Sequence, residues 1–163
     1  MHVIIVGAGE VGWYLADRLC GERHDVVVIE QSEAVAAQIG EELDVQVVVG
    51  NACEPSVLDA AGVARADLLA GVTHSDEVNL VASLLAKQRG AARTVVRIQS
   101  RELRGPSGAD LLSAMSPDLV IDPDADTAAE IMAVIDLAGA DEVYPMVGGR
   151  LVVLGTVIRP GSS

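Results

Sequence analysis

The chain has 163 residues, which suits one domain with a well-buried core and is too short for two full domains. Half of the residues are apolar, but the chain has one Trp, two Tyr and no Phe, so its core must be built from aliphatic side chains. The formal net charge of −13 gives a surface that repels phosphate backbones and anionic lipid. We therefore expect no nucleic-acid partner and no direct binding to a membrane.

Short apolar segments alternate with amphipathic ones along most of the chain. Strands are predicted at residues 3–6, 25–30, 45–49, 67–72, 94–98 and 119–121. Helices are predicted at residues 10–20, from the cap at residue 32 to about 39, at 55–61 and at 124–137, and a loop at residues 104–108. Two further helices are predicted to contain Leu80, Leu84 and Leu85, and Leu111, Leu112 and Met115. Ser32 is a predicted N-cap, and Thr73 and Asp76 are spaced like a capping box before the fourth helix.

Strands that are apolar throughout are buried on both faces, which is typical of a parallel sheet. Together with the strand–helix alternation, this predicts a Rossmann-type, doubly wound α/β fold. The expected sheet has six mainly parallel strands in the order 3-2-1-4-5-6, with helices on both faces.

The pattern changes near residue 139. Residues 142–147 and 151–158 resemble two strands of a β-hairpin around a Gly148-Gly149 turn. We expect a nucleotide-binding domain at residues 1–139, followed by a hairpin or linker at residues 140–163. The start of a further domain and a segment that packs on a partner are the two alternatives for this last part.

The segment Gly7-Ala8-Gly9-Glu10-Val11-Gly12 fits the pattern G-x-G-x-x-G between a predicted strand and a predicted helix. Gly7 permits the tight turn, Gly9 lets a pyrophosphate approach the backbone, and Gly12 lets the helix pack closely on the strand. The amino end of the helix offers N–H groups and a positive dipole to phosphates. This predicts a nucleotide site.

Glu30 ends the second predicted strand, where its carboxylate can accept hydrogen bonds from ribose hydroxyls. Gln31 follows it, and neither Arg nor Lys stands there to bind a 2′-phosphate. NAD or another adenine nucleotide is therefore favoured over NADP.

Two further strand ends point to the same crevice, because ligands of open α/β sheets bind at the carboxyl ends of the strands. They are Gly50-Asn51-Ala52, in which Asn51 could bind an adenine edge, and Thr73-His74. Arg97 is a cation within an aliphatic strand and needs an anion there. A neighbouring carboxylate, a phosphate of the nucleotide and a second subunit are the alternatives.

At this point the chain resembles a known family, the RCK or KTN nucleotide-binding domain of bacterial potassium uptake regulators. The resembling segments are residues 6–12, 49–52, 58–63, 66–67, 72–80, 96–98 and 119–123. The most specific of these is Thr73-His74-Ser75-Asp76-Glu77-Val78-Asn79-Leu80, which ordinary dehydrogenases lack.

The resemblance implies a cytoplasmic regulatory subunit that is held at the inner face of the membrane by a Trk- or Ktr-type potassium transporter. It also implies a homo-oligomer, from a dimer to a tetrameric ring, whose shape responds to NAD, NADH, ATP or ADP. The family's nucleotide contacts map onto Gly7, Ala8, Gly9, Glu10, Val11, Glu30, Asn51, Thr73, His74 and Arg97. Many relatives have Asp in place of Asn51 and Glu30, so the choice among these nucleotides stays open.

An NAD-dependent oxidoreductase is the main alternative. A hydride-transfer enzyme needs a substrate pocket and an acid or base beside the nicotinamide. Few residues follow the last predicted helix, neither Tyr has a Lys four residues later, and His74 is the only histidine expected near the crevice. We therefore expect no catalytic residues and no enzyme activity.

A metal site and a disulfide are also not expected. Asp122, Asp124 and Asp126 alternate, but Thr127 stands where a calcium-binding EF-hand loop needs glycine, and helix capping explains the carboxylates. Cys20 and Cys53 lie far apart without metal-ligand spacing, so we expect free thiols.

Overall fold

The computed structural model describes residues 1–136, 142–146 and 151–155. The chain divides into two compact units, Met1–Ile121 and Asp122–Ser163. The boundary expected at residue 139 falls in a part of the chain that is not described, so it stays a prediction.

The first unit is built on one six-stranded parallel sheet, as predicted. The strands are β1 (His2–Val6), β2 (Asp25–Glu30), β3 (Gln46–Val49), β4 (Leu68–Gly71), β5 (Thr94–Arg97) and β6 (Leu119–Ile121). Their order is β3-β2-β1-β4-β5-β6, and each neighbouring pair is parallel. Val6, the last residue of β1, pairs with Ile29 of β2 and Gly71 of β4, which brings three carboxyl ends together.

The helices of this unit are α1 (Glu10–Gly21), α2 (Glu33–Glu42), α3 (Pro55–Ala60), α4 (Asp76–Gln88), α5 (Arg101–Arg104) and α6 (Ala109–Met115). Ser32 caps α2 as predicted, since its hydroxyl accepts from the Val35 N–H at 3.4 Å. The cap of α4 is Ser75, whose hydroxyl accepts from Val78, and not the predicted Thr73 pairing. The one-turn helix α5, where Ser100 is the cap, was not predicted.

The core lies on both faces of the sheet because alternate residues of each central strand point to opposite sides. Ile4 and Val6 pack with Leu58 of α3 and with α4 on one face. Val3 and Ile5 pack with α1 and α2 on the other face. All five residues of β1 are buried. The aliphatic core expected from the composition is therefore present.

The second unit contains α7 (Pro123–Asp136), β7 (Glu142–Met146) and β8 (Leu151–Gly155), and the two strands pair antiparallel. The Gly148-Gly149 turn and residues 156–158 lie outside the described residues, so the predicted hairpin stays a prediction. An Asp122 carboxylate oxygen accepts from the Ala125 N–H at 3.2 Å, which is a capping contact.

The described residues contain neither a candidate membrane-spanning helix nor a candidate metal-binding cluster. Neither α7 nor any other described helix combines the length and the apolar content that a bilayer span requires. No group of three or more His, Cys, Asp or Glu side chains is placed to hold a metal ion in this part of the chain.

Candidate functional site

The carboxyl ends of the central strands surround a cavity of about 480 Å³ in the first unit. Predicted site residues line it: Gly7, Ala8, Gly9, Glu10, Val11, Glu30, Gln31, Gly50, Ala52, Thr73, His74 and Arg97. Its other lining residues are Val6, Ile29, Val35, Val72, Ser75 and Val78. The cavity is therefore polar around the glycine loop and mostly apolar elsewhere, as small-molecule sites usually are.

Two predicted site residues do not line the cavity. A Cβ on Gly12 would overlap the carbonyl oxygen of Gly7, so Gly12 serves the close packing of α1 on β1. The side-chain Oδ1 of Asn51 accepts from the Cys53 N–H at 2.9 Å and closes a local turn. Contact between Asn51 and an adenine ring stays a prediction.

Gly7 and Gly9 serve the loop in different ways. Gly7 has φ of +96°, and a Cβ there would lie 2.8 Å from Cγ2 of Thr73, so the turn requires glycine twice over. The missing side chain of Gly9, in contrast, meets no heavy atom within 4 Å. The backbone at Gly9 therefore borders open space within the cavity.

The amino end of α1 begins at this open space. Gly9 is its N-cap, and no side chain in the described residues caps it by a hydrogen bond. Because first-turn N–H groups have no partner within a helix, those of α1 are available to an anion in the cavity.

The Glu30 carboxylate is fixed beside the glycine loop by two backbone donors. One oxygen accepts from the Ala8 N–H at 2.8 Å, and the other accepts from the Ser32 N–H at 2.9 Å. Each oxygen keeps a second lone pair. A ligand hydroxyl therefore meets a carboxylate whose position is already set.

The Arg97 guanidinium reaches the cavity from the end of β5. Its Nη1 donates to the Thr73 carbonyl oxygen at 3.4 Å, while its Nε is buried without a hydrogen-bond partner in the part of the chain that the structure describes. No ion pair joins Arg97 to a carboxylate among those residues. A buried donor without a partner costs free energy, so the Nε of Arg97 is a strained feature beside the cavity.

Thr73 is held by a side chain that sequence reasoning gave no role. Asn79, on α4, accepts from the Thr73 N–H at 3.0 Å and from the Thr73 hydroxyl at 2.7 Å. Its amide nitrogen donates to the carbonyl oxygens of Thr73 at 3.1 Å and Arg97 at 2.9 Å. The Thr73 hydroxyl also contacts the backbone of Ser75.

Asp76 holds the segment after β5 in the same manner. Its carboxylate oxygens accept from the N–H groups of Gln99 at 2.9 Å and Ser100 at 2.8 Å. Asp76, Asn79 and Ser83 are the buried polar residues on the inner side of α4. The sequence signal was their spacing of three and four residues, which places polar side chains on the apolar face of one helix.

Cys53 and Glu77, which are adjacent in sequence to residues that line the cavity, have shifted pKa values. Burial raises the pKa of the Cys53 thiol, so it stays protonated at neutral pH and is a poor nucleophile. The pKa of Glu77, at the start of α4, is lowered by hydrogen bonds from the backbone N–H of Glu77 and from the Ser75 hydroxyl. Cys20 and Cys53 are both free and half-buried.

The fold and the cavity define a Rossmann-type domain with a glycine loop open to a ligand. The family model of the TrkA-N domain matches residues 3–123, and the chain belongs to that family.

Two relatives carry names that describe potassium uptake. The chain is 37% identical over 169 residues to a Trk system potassium uptake protein TrkA homolog of Archaeoglobus fulgidus. It is 34% identical over 160 residues to the Trk system potassium uptake protein TrkA of Azorhizobium caulinodans. These matches cover 99% and 96% of this chain but 36% and 35% of the relatives, so the chain spans about a third of their length.

Solved structures share the fold at low sequence identity. The TrkA-N domain of the inner membrane protein ybaL from Escherichia coli has a TM-score of 0.73 at 19% identity, over 82% of this chain and 96% of that one. The GsuK channel bound to NAD has a TM-score of 0.69 at 18% identity, over 90% of this chain and 25% of that one. The RCK domain of GsuK is a further neighbour, with a TM-score of 0.66.

Proposed function

We propose that this chain is a nucleotide-sensing regulatory domain of a potassium uptake system and binds NAD or NADH, with ATP or ADP as the alternative. The observation that carries the proposal is the open space at Gly9. It lies at the uncapped start of α1 and beside a Glu30 carboxylate held 2.8 Å from the Ala8 N–H.

Each part of such a nucleotide has a matching group in the cavity. The diphosphate would lie against the first-turn N–H groups of α1, and a ribose would donate to Glu30. The adenine would occupy the apolar space between Ile29 and Ala52. The remainder of the ligand would extend toward Thr73 and Arg97, where the buried Nε lacks a partner.

The Glu30 carboxylate also supports a preference for NAD over NADP. A 2′-phosphate would face a negative charge that two backbone donors hold in place, and the following Gln31 supplies no compensating cation. We expect NADP to bind at least about tenfold more weakly than NAD, which corresponds to about 1.4 kcal/mol.

Family membership supports the regulatory role. Relatives are named as potassium uptake proteins, and the GsuK channel has been solved with NAD and with ADP. We infer that this chain likewise assembles as a homo-oligomer at the cytoplasmic face of a membrane transporter subunit. Nucleotide binding would then change the shape of the assembly and the flow of potassium through its partner.

A thermal-shift series with NAD, NADH, NADP, ATP and ADP tests the site. A ligand at 100 times its Kd stabilises the folded chain by about 2.7 kcal/mol, which raises Tm by several degrees. Gly9→Asp should abolish the shift, because a carboxylate would enter the diphosphate position and repel it. Gly21→Asp is the matched control, since it places the same charge in open space at the other end of α1. A full shift in Gly9→Asp would contradict the site.

Two further measurements test the function beyond binding. Sustained oxidation of NADH with carbonyl substrates would favour the oxidoreductase, with His74 as its acid or base, over the regulator. Potassium flux through a Trk-type transporter in vesicles, with and without the chain, should respond to nucleotide and should lose that response with Gly9→Asp. A flux that ignores both the chain and the nucleotide would contradict the regulatory role.

A further inference from the structure

Asn79 is fully buried and contacts two of the strand ends that line the cavity. Its side chain forms two hydrogen bonds as acceptor and two as donor, and all four go to Thr73 or Arg97. An amide side chain has little further hydrogen-bonding capacity. One side chain therefore links the end of β4 to the end of β5 by hydrogen bonds.

The residues that Asn79 holds face the cavity, whereas Asn79 itself does not line it. Thr73 lies so close to the glycine loop that a Cβ on Gly7 would be 2.8 Å from its Cγ2. Arg97 lines the cavity, and its buried Nε lacks a partner among the described residues. Asn79 thus acts on the cavity only through these two neighbours.

The position of Asn79 is defined by the packing of α4. A Cβ on Gly71 would lie 3.1 Å from the Asn79 Cα, so the helix sits directly on β4. The Asp76 carboxylate binds the N–H groups of Gln99 and Ser100 and holds the start of the same helix to the segment after β5. The amide cannot move away without breaking these contacts as well.

We propose that Asn79 is a positioning residue for the part of the ligand that extends beyond the phosphate nearest the adenosine. This inference rests on the proposed function. In a doubly wound sheet a dinucleotide crosses the switch point, so one half lies over β2 and β3 and the other over β4 and β5. The hydrogen bonds of Asn79 go only to residues of the second side, Thr73 and Arg97. Its loss should therefore weaken long ligands and spare AMP.

The test measures Kd for NAD and for AMP by titration calorimetry, with ATP in parallel, well below the Tm of each variant. Asn79→Ala should weaken NAD binding about tenfold, which is the loss of roughly one well-formed hydrogen bond, and should change AMP binding less than twofold. Leu80→Ala is the control for stability, because Leu80 is buried on the same helix and packs against Val96 and Ile98. It should lower Tm and leave both Kd values within twofold.

Ser83→Ala is a second control. Ser83 is buried one turn further along α4, and its hydroxyl has no hydrogen-bond partner among the described residues, so its removal should change neither Kd. Equal weakening of NAD and AMP in Asn79→Ala, or no weakening, would overturn the inference. The same applies if Leu80→Ala reproduces the NAD-specific loss.

Thr73→Val carries the test if Asn79→Ala does not fold. It removes the hydroxyl that donates to Asn79 at 2.7 Å and keeps the shape of the side chain. NAD binding should weaken about threefold and AMP binding should not change; unchanged NAD binding would overturn the inference. A wild-type chain that binds none of these nucleotides would contradict the proposed function, whereas binding with an unaltered NAD-to-AMP ratio in the variants contradicts this inference alone.

Discussion

At both the amino end and the carboxyl end of the sheet, carboxylates accept hydrogen bonds from backbone N–H groups, but the two ends have different roles. At the amino end, an Asp67 carboxylate oxygen accepts from the His2 N–H at 2.8 Å, and an Asp118 oxygen accepts from the Thr94 N–H at 2.7 Å. At the carboxyl end, Glu30 and Asp76 accept from backbone N–H groups in the same way. Carboxylates therefore tie strands to loops at both ends.

The two ends differ in whether their other buried polar groups have hydrogen-bond partners. At the amino end the buried His2 ring places Nδ1 2.7 Å from Asp25 and Nε2 3.1 Å from the Ala61 carbonyl oxygen, so both nitrogens have partners. At the carboxyl end the Arg97 Nε has none in the described chain, and Gly9 borders empty space. Complete pairing gives stability, and incomplete pairing beside a cavity gives a binding site.

The largest expected effect concerns the glycine loop. Gly12→Ala would force the new Cβ into the carbonyl oxygen of Gly7, so α1 must move off β1. The free energy of unfolding should fall by about 3 kcal/mol or more, as in severe overpacking. Urea unfolding measures this, and Gly21→Ala is the control, since its Cβ enters open space and alanine favours the helix. A Gly12→Ala midpoint equal to that of the wild type would mean that the loop has another conformation.

The glycine loop is among the features that can be predicted from the sequence. The strand–helix alternation predicts the strand order, and the glycine pattern with Glu30 at the end of the next strand predicts the position of the cavity. Burial of both faces of β1 likewise follows from its continuous apolar run.

The remaining contacts of the site depend on side-chain orientations, which the sequence alone does not determine. Asn51 stands at a strand end as predicted, yet its side-chain Oδ1 accepts a hydrogen bond within a local turn. The inward direction of Asn79 depends on how α4 is rotated over β4, which the contact at Gly71 sets. One of the two donors to Glu30 is Ala8, which lies 22 positions earlier in the chain. Tertiary packing decides such contacts.

Arg97→Met sharpens the contrast between stability and binding. Met keeps an apolar stem and removes the buried Nε that has no partner in the described residues. In the absence of ligand, the free energy of unfolding should stay equal or rise by up to about 1 kcal/mol, because an unsatisfied donor costs about 1–3 kcal/mol. Binding of NAD should weaken. Chemical unfolding and calorimetry on the same samples check both.

The counterpart at the amino end should behave in the opposite manner. His2→Leu leaves the Ala61 carbonyl oxygen and the Asp25 carboxylate without the imidazole. The cost should be about 1–2 kcal/mol of unfolding free energy, with the Kd for NAD unchanged. If His2→Leu weakened binding, or if Arg97→Met cost as much stability as His2→Leu, the contrast between the two ends would be wrong.

The smallest expected effect is a pH dependence at the amino end. The Thr94 N–H, and then Lys87, hold the pKa of Asp118 below its ordinary value of 3.8. Because the folded-state pKa is the lower one, the stabilisation is complete above the ordinary pKa and is lost as the pH falls through the folded-state value. Asp118→Asn should therefore be less stable than the wild type between pH 7 and pH 5, and the difference should shrink below pH 4.

Urea midpoints at steps of pH measure the Asp118 contribution. Asp17→Asn is the control, because Asp17 is an exposed carboxylate on α1 and carries the same charge change. Its difference from the wild type should stay small at every pH, as surface charges usually contribute little. A gap between Asp118→Asn and the wild type that grows toward acid pH would reverse the sign of the linkage. The Asp118 side chain would then stabilise β5 only in its protonated form. In that case the ionised carboxylates at the two ends of the sheet would not act in the same way.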